Sequence, residues 1–240
     1  RLQTLCSHFL LEKEFHGAHG LTVSDAMALT IAAQACLPLL HMRPPSGHAR
    51  AHPLHVLDWY DDFVGIVIQP GAAVARRKRA DPSGVMHQYD EVLAGEAMDR
   101  GPVMLSWEDV VRAPLTVPEG ANLVIHEFAH KIDMRGMAAG QHPDGAPALA
   151  AGLWGTATAE QARQHWHSQM SDAYGRFREA LALAERFGGE PPWLDPYAAT
   201  DPAEFFAVTC EAYFVNRERF GHEFPELLGL YDGFFRHDTT

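Results

Sequence analysis

Apolar residues recur at helical spacing through most of the chain, and only short stretches have the pattern of strands. Apolar positions three and four residues apart, on one face of a helix, predict six long helices. A shorter helix is expected at 107–112, next to a run of apolar residues. The long helices are expected at 2–14, 24–40, 122–134, 160–187, 202–215 and 223–235.

Two short runs rich in apolar and β-branched residues predict buried strands at 63–69 and 102–107, and a weaker alternation follows at 85–93. Charged residues, or Gly and Pro, interrupt the pattern elsewhere and predict irregular connections. The order of helices, then a few strands, then mostly helices favours an α+β fold over a regular βαβ fold. Irregular connections are expected at 76–83, 114–120, 136–155 and 191–200.

Composition narrows the class of protein. The chain has 240 residues, 47% of them hydrophobic, which is enough for a substantial core. Its formal charge of −12, from 19 basic and 31 acidic residues, argues against a nucleic-acid partner. The basic run Arg76-Arg77-Lys78-Arg79 could bind nucleic acid or a membrane surface, but such short charge runs are more typical of a solvated loop.

The cysteines and the longest apolar stretch bear on location. Three widely spaced cysteines form no CxxC pair, which predicts neither a disulfide framework nor a thiolate metal site and fits a reducing compartment. The apolar stretch 26–40 is too short to span a membrane and contains Gln34 and Pro38. A cytoplasmic protein without a membrane partner is therefore expected.

The segment VIHEFAHKIDM at 124–134 places His126 and His130 on one face of a predicted helix. Two imidazoles in this arrangement can bind one Zn²⁺ at about 2.0–2.1 Å, and Glu127 can take a proton from the zinc-bound water. Since 15 histidines make chance patterns possible, the apolar surroundings of the helix carry weight. Asp133 could accept a hydrogen bond from a ligand histidine or lie on the surface.

A catalytic zinc needs a third protein ligand and an open position. The segment YAATDPAEFFAVTCEAYF at 197–214 predicts a helix that begins near Pro202. Glu204 then lies in the first turn, and Glu211, seven residues later, lies on nearly the same face. Either carboxylate could reach a metal ion, and either could instead face the solvent.

HEFAHKID followed by YAATDPAEFFAV resembles the Mlc titration factor A family of bacterial zinc peptidases, and more distantly the catalytic domain of anthrax lethal factor. The resemblance covers about 2–235 and includes Val85-Met86-His87 before the segment GPVMLSW. It implies one zincin-like metallopeptidase domain over 1–240, mostly helical with a small sheet. The N-terminal helices and the sheet would occupy 1–118, and the zinc-site helices 119–240.

The same resemblance implies a gluzincin-type site in which Glu204 is the third metal ligand. Tyr197, seven residues earlier, would assist at the oxyanion, and His87 would be an additional ligand near the zinc. From the residues alone, Tyr197 is a loop aromatic whose default role is packing. His87 is then one histidine among 15.

These observations predict a zinc-dependent, aminopeptidase-like peptidase that acts on a peptide substrate. The resemblance also implies control of sugar uptake through binding of a transcriptional repressor. The alternative is therefore a regulatory repressor-binding protein with a latent zinc site. A purely structural zinc site is disfavoured, because four Cys or His ligands would close it.

Overall fold

Helices dominate the computed structural model, which describes residues 1–45, 52–80, 86–93, 95–137 and 141–236, with the backbone alone for 73–80 and 86–93. This content agrees with the α+β class. Short 3-10 helices lie at Pro38–His41, Pro53–Tyr60, Ala113–Leu115, Leu153–Gly155 and Pro196–Ala199. The α-helices are α1 (Leu2–Glu12), α2 (Asp25–Cys36), α3 (Trp107–Arg112), α4 (Leu123–Met134), α5 (Ala159–Phe187), α6 (Pro202–Val215), α7 (Arg217–Glu223) and α8 (Pro225–Phe235).

Six strands form two separate sheets in the described part of the chain. The larger sheet has the order β1-β2-β6-β5, in which β1 and β6 run parallel to β2 and β5 runs antiparallel to β6. Strands β3 and β4 form an antiparallel pair of their own. The strands are β1 (Glu14–Gly17), β2 (Gly65–Gln69), β3 (Ala73–Ala80), β4 (Met86–Leu93), β5 (Gly95–Ala97) and β6 (Val103–Ser106).

The prediction of a polar loop at 76–83 is wrong for 76–80, and 81–83 lie outside the described residues. Strand β3 carries the basic run and pairs with β4 from Ala73↔Leu93 to Ala80↔Met86. Backbone hydrogen bonds hold such a two-stranded ribbon, and they do not require an apolar face. A search for hydrophobic alternation therefore passes over a charged strand, although it does find β4.

Prolines set several element ends that differ from the expectation. The helix predicted to reach residue 40 ends at Cys36, and Pro38 begins a 3-10 helix. The helix predicted at 223–235 begins two residues later, at Pro225, and the short helix α7 that precedes it is not expected from the pattern. Strands β1 and β5 have only four and three residues, too few for a periodic pattern to be visible.

Helix α4 lies in the centre of the core. Its Phe128 is buried and packs against Tyr60, Phe9 and Phe63, with ring centroids 4.9, 5.7 and 5.9 Å away. On another side α4 packs against α6, which is itself almost entirely buried. The position of α4 is therefore fixed by the core. The interpretation of 1–240 as one domain stays a prediction.

The longest helix, α5, has 29 residues and buries a single stripe against the core. The other positions of α5 are largely polar, as expected of a helix on a protein surface. None of the helices in the described ranges is both long and apolar enough to cross a bilayer. The buried stripe consists of Ala162, Trp166, Met170, Ala173, Phe177 and Leu181.

Candidate metal centre

The start of α4 fixes the two predicted histidine ligands. Asn122 caps the helix, and its side-chain oxygen accepts a hydrogen bond from the Ile125 amide at 3.0 Å. One turn further on, His126 and His130 project from the same face, with ring centroids 4.8 Å apart. The helical spacing expected from the sequence is thus present.

The start of α6 fixes the carboxylate opposite them. Asp201 caps this helix and accepts hydrogen bonds from the amides of Ala203 and Glu204 at 2.9 and 3.0 Å. Pro202 occupies the first turn, where a proline costs no hydrogen bond. Glu204 is thereby held in the first turn of α6, next to the histidines of α4.

Three side-chain atoms form a nearly equilateral triangle. The Nε2 atoms of His126 and His130 are 3.2 Å apart, and Glu204 Oε2 lies 3.1 and 3.3 Å from them. Ligands at about 2.0–2.1 Å from a tetrahedral metal lie about 3.3–3.4 Å from one another. The triangle therefore has the size of one metal's ligand set, and these are the described residues that could hold an ion.

Glu211 orients the first imidazole. Its Oε1 lies 2.7 Å from His126 Nδ1, and its Oε2 accepts a hydrogen bond from the Asn122 amide. A carboxylate that accepts on both oxygens makes Nδ1 the donor, so the lone pair of Nε2 faces the triangle. Glu204 Oε2 is also buried without a well-formed hydrogen bond. A cation would satisfy both atoms, so these residues fit a bound metal ion.

The charges favour a cation at the same place. Burial lowers the pKa of His126, but the carboxylates of Glu211 and Glu204 more than offset this and raise it well above its usual range. Burial raises the pKa of Glu204, yet the two imidazoles hold it well below its usual range. The imidazoles thus lie in a strongly negative field, which attracts positive charge.

Glu127 lies beside the triangle and is 4% exposed. Burial raises its pKa, and the charges of His126 and His130 offset part of that rise. Gly95 of β5 lies directly against this carboxyl, and a Cβ atom there would collide with it. The glycine therefore permits the close approach of β5 to α4. The raised pKa of the Glu127 carboxyl suits it to proton transfer.

Tyr197 lies in the same cleft. Its amide donates to Asp195 Oδ1 at 2.8 Å, which holds the 3-10 helix that carries it. Its ring centroid is 6.3 Å from that of His126, and the residue is 41% exposed. The phenol is thus an accessible side chain next to the histidines.

The other candidates have different outcomes. The side chain of His87 on β4 lies outside the described residues, so its role as a ligand stays a prediction. The surface alternative for Asp133 is wrong, because it is fully buried and its Oδ2 accepts a hydrogen bond from the Gly145 amide at 2.9 Å. Sequence reasoning considers Asp133 as the hydrogen-bond acceptor of a ligand histidine. In the structure Glu211 takes this position at His126 Nδ1.

Sequence reasoning missed Gly95 and Lys131. Nothing local marks Gly95, since β5 is too short to be expected as a strand. Lys131 did leave a signal: it is a charged residue in a helix that is apolar on nearly all sides, and a buried ammonium needs partners.

The metal triangle, Glu127, Tyr197 and Glu211 line one cleft of about 910 Å³. A cleft of this size can take the side chains of a short peptide. Residues of α4, α6, β5 and α3 contribute to its lining. Besides the residues already described, the lining includes Glu96, Ala97, Asp109, Arg112, Thr116, His142 and Pro143.

Residues 1–236 match the model of a family described as glucose-regulated metallo-peptidase M90. The chain belongs to this family. Proteins named Mlc titration factor A from Salmonella arizonae and Salmonella agona are each 30% identical to it over 240 residues. The matches cover 100% of this chain and 84% and 79% of those proteins. Membership of the M90 family confirms the resemblance inferred from the sequence. The triangle of His126, His130 and Glu204 is a possible metal site in this member of the family.

Proposed function

We propose that this protein is a zinc-dependent peptidase whose zinc is held by His126, His130 and Glu204. The observation that carries the proposal is the triangle of 3.1–3.3 Å within the cleft of an M90 family member. Two imidazoles and one carboxylate are the donor set of several catalytic zinc sites, which leave a further position open.

A bound zinc would polarise the scissile carbonyl and lower the pKa of the attacking water. Glu127 would take the proton of that water on its carboxylate and pass it to the leaving amine nitrogen. Tyr197 would donate a hydrogen bond from its phenol to the oxygen that becomes negative. Glu211 would keep His126 in the tautomer that leaves Nε2 free to coordinate.

The shape of the cleft supports a peptide as substrate. Strand β5 is at the edge of its sheet and lines the cleft, so an extended peptide could pair with it. Glu96, Asp109 and Asp195 also line the cleft, and their carboxylates could attract a substrate's α-ammonium group. These features support an aminopeptidase-like activity on short peptides. The three cysteines are free thiols, which supports a cytoplasmic location.

Metal analysis and turnover together test this function. Purified protein should contain one zinc per chain, and His126→Ala should lose it, since two remaining ligands hold zinc poorly. The zinc-loaded protein should hydrolyse some members of a panel of aminoacyl and internal-peptide fluorogenic substrates. Stoichiometric zinc in His126→Ala, or a zinc-loaded protein inactive on the whole panel, would contradict the proposal.

The name of the relatives supports a second candidate. Because they are called Mlc titration factor A, we also propose that this protein binds a transcriptional repressor of sugar uptake, with peptidase chemistry secondary or latent. Glu127→Gln separates the two functions. If hydrolysis matters in the cell, the variant should lose function there while it still binds the purified repressor. Full cellular function with hydrolysis abolished would favour repressor binding alone.

A further inference from the structure

Lys131 carries a fully buried ammonium group directly after the ligand His130. Its Nζ donates to the carbonyls of Met98 and Gly101 at 2.5 and 3.0 Å, and lies 3.3 Å from Asp62 Oδ2. An ammonium buried without partners would strongly destabilise the fold. Here each of its three N–H groups has an acceptor, two of them in a single turn.

That turn joins β5 to β6. The Met98 amide donates to the Pro102 carbonyl at 3.3 Å, and the Gly101 amide donates to the Met98 carbonyl at 3.1 Å. Arg100 has a φ of 51°, a left-handed conformation that costs energy for a residue with a side chain. The turn is thus a constrained one, and a group outside it that binds two of its carbonyls helps to hold its shape.

Helix α4 contacts the β5–β6 hairpin at both ends of β5. Glu127 touches Gly95 at the start of the strand, and Lys131 binds the turn beyond its end. Residues four apart on a helix lie on the same face, so these two side chains form one row toward the hairpin. The side chain that would serve as base and the one that anchors the turn therefore share one rigid support.

We propose that Lys131 is a positioning residue that fixes the edge strand β5 against α4, and thereby sets the distance between Glu127 and a peptide paired with β5. The inference rests on the proposed peptidase function. It acts through the hairpin, because no atom of Lys131 needs to touch the substrate. Loss of the ammonium would free the turn and allow β5 to move away from Glu127.

The chain offers a matched control in Lys13. Its ammonium is also buried and donates to two backbone carbonyls, those of Tyr60 and Phe63, at 2.5 and 2.7 Å. Both ammonium groups lie near the Phe63 ring, 4.3 Å from its centroid for Lys13 and 4.5 Å for Lys131. The two lysines thus share their chemistry, but only Lys131 binds the hairpin turn.

The test compares Lys131→Met with Lys13→Met in the zinc-loaded full chain, by hydrogen exchange and by kinetics. In Lys131→Met, amides of 95–106 should exchange at least about tenfold faster, because the hairpin opens locally. Zinc content should stay at one per chain, while kcat/KM falls about 10–100-fold because base and substrate are misplaced. Lys13→Met should lower Tm but leave hairpin exchange and kcat/KM within about twofold.

A second variant covers the case in which Lys131→Met folds poorly. Lys131→Met combined with Asp62→Leu removes the carboxylate left unpaired, which should restore stability without restoring the bonds to the turn. Hairpin exchange should then stay fast. Unchanged exchange at 95–106, or equal effects in the two lysine variants, would overturn the proposal. Because exchange is read without substrate, it tests Lys131 even if the wild-type protein hydrolyses no peptide.

Discussion

Glu127 lies between two imidazoles and a glycine, and no other task is evident for its carboxyl group. Glu127→Gln keeps its size and hydrogen bonding but removes the base. We expect zinc retention with kcat lowered by about 10²–10⁴, the range typical of a lost general base. Elemental analysis and turnover of the best fluorogenic substrate provide the measurement. A fully active Glu127→Gln protein would end the hydrolase interpretation.

Tyr197 provides a test of oxyanion stabilisation. Tyr197→Phe removes only the hydroxyl group from a ring that lies beside His126. If the phenol donates mainly in the transition state, kcat should fall about 100-fold with KM nearly unchanged. Steady-state kinetics at matched zinc content would show this split. Normal kinetics would remove the role of Tyr197 and leave that of Glu127 untouched.

The two carboxylates of α6 should differ in their effect on the metal. Glu204→Ala should abolish stoichiometric zinc, because it removes a ligand atom from the triangle. Glu211→Ala should weaken zinc binding only about 10–100-fold, as expected for a group that orients a ligand histidine. Competition with a chromophoric chelator measures both affinities. The reverse order of effects would show that the two roles are exchanged.

The sequence places His126, Glu127 and His130 on one helix, as the structure has them, and their roles stay predictions. Spacing alone leaves the choice between Glu204 and Glu211 open, because both lie on one face of α6, and the family resemblance selects Glu204. The structure shows why the choice is difficult: the two carboxylates reach the same imidazole, one at Nε2 and the other at Nδ1. Spacing along the helix does not separate these positions, whereas their three-dimensional placement does.

At the scale of elements, Gly95 determines how closely β5 approaches α4. Gly95→Ala adds a methyl group that would collide with the Glu127 carboxyl, so we expect kcat/KM to fall at least about tenfold. Gly175→Ala is the control, since a Cβ atom there meets nothing within 4 Å and the residue lies within α5. That change should leave activity intact and add about 0.5–1 kcal/mol of stability. Equal activity of the two variants would contradict this view of β5.

Strand β4 carries the proposed additional ligand His87. A fourth protein ligand would fill the position that water or a substrate carbonyl needs, and would keep the enzyme weakly active. His87→Ala should therefore weaken zinc binding modestly and leave turnover equal or higher. Zinc titration and kinetics check this together. A large loss of turnover at full zinc content would instead indicate a role in substrate binding or acid–base chemistry.

Elements with a clear apolar period are predicted from the sequence nearly to their ends. The strands that the sequence misses have a physical reason in common: backbone pairing, rather than an apolar face, holds them. Strand β3 is charged, and β1 and β5 are too short for a pattern. The missed strand β5 is also the one that contacts the candidate base.

At the scale of the whole molecule, the metal triangle joins two segments that are far apart along the chain. Local patterns predict α4 and α6 separately, and the order of elements indicates the α+β class. The packing of α4 on α6 depends on the full set of side chains in the core. The positions of α4 and α6 along the chain are therefore predictable from local patterns. The 3.1 Å distance between Glu204 Oε2 and His126 Nε2 is not.

Asp133 ties α4 to the segment that bears Gly145, as Glu127 and Lys131 tie α4 to the β5–β6 hairpin. Its partner Gly145 also accepts a hydrogen bond from Trp166 Nε1 at 2.7 Å, so the wall bearing His142 is tied to both α4 and α5. Inserting one residue into α4 would rotate all later side chains by about 100°. An insertion just after Glu127 would displace the candidate ligand His130 together with Lys131 and Asp133, and so break the contacts to two walls at once. We therefore expect the loops of the cleft to tolerate changes of length that α4 does not, because such changes leave the register of the helix intact.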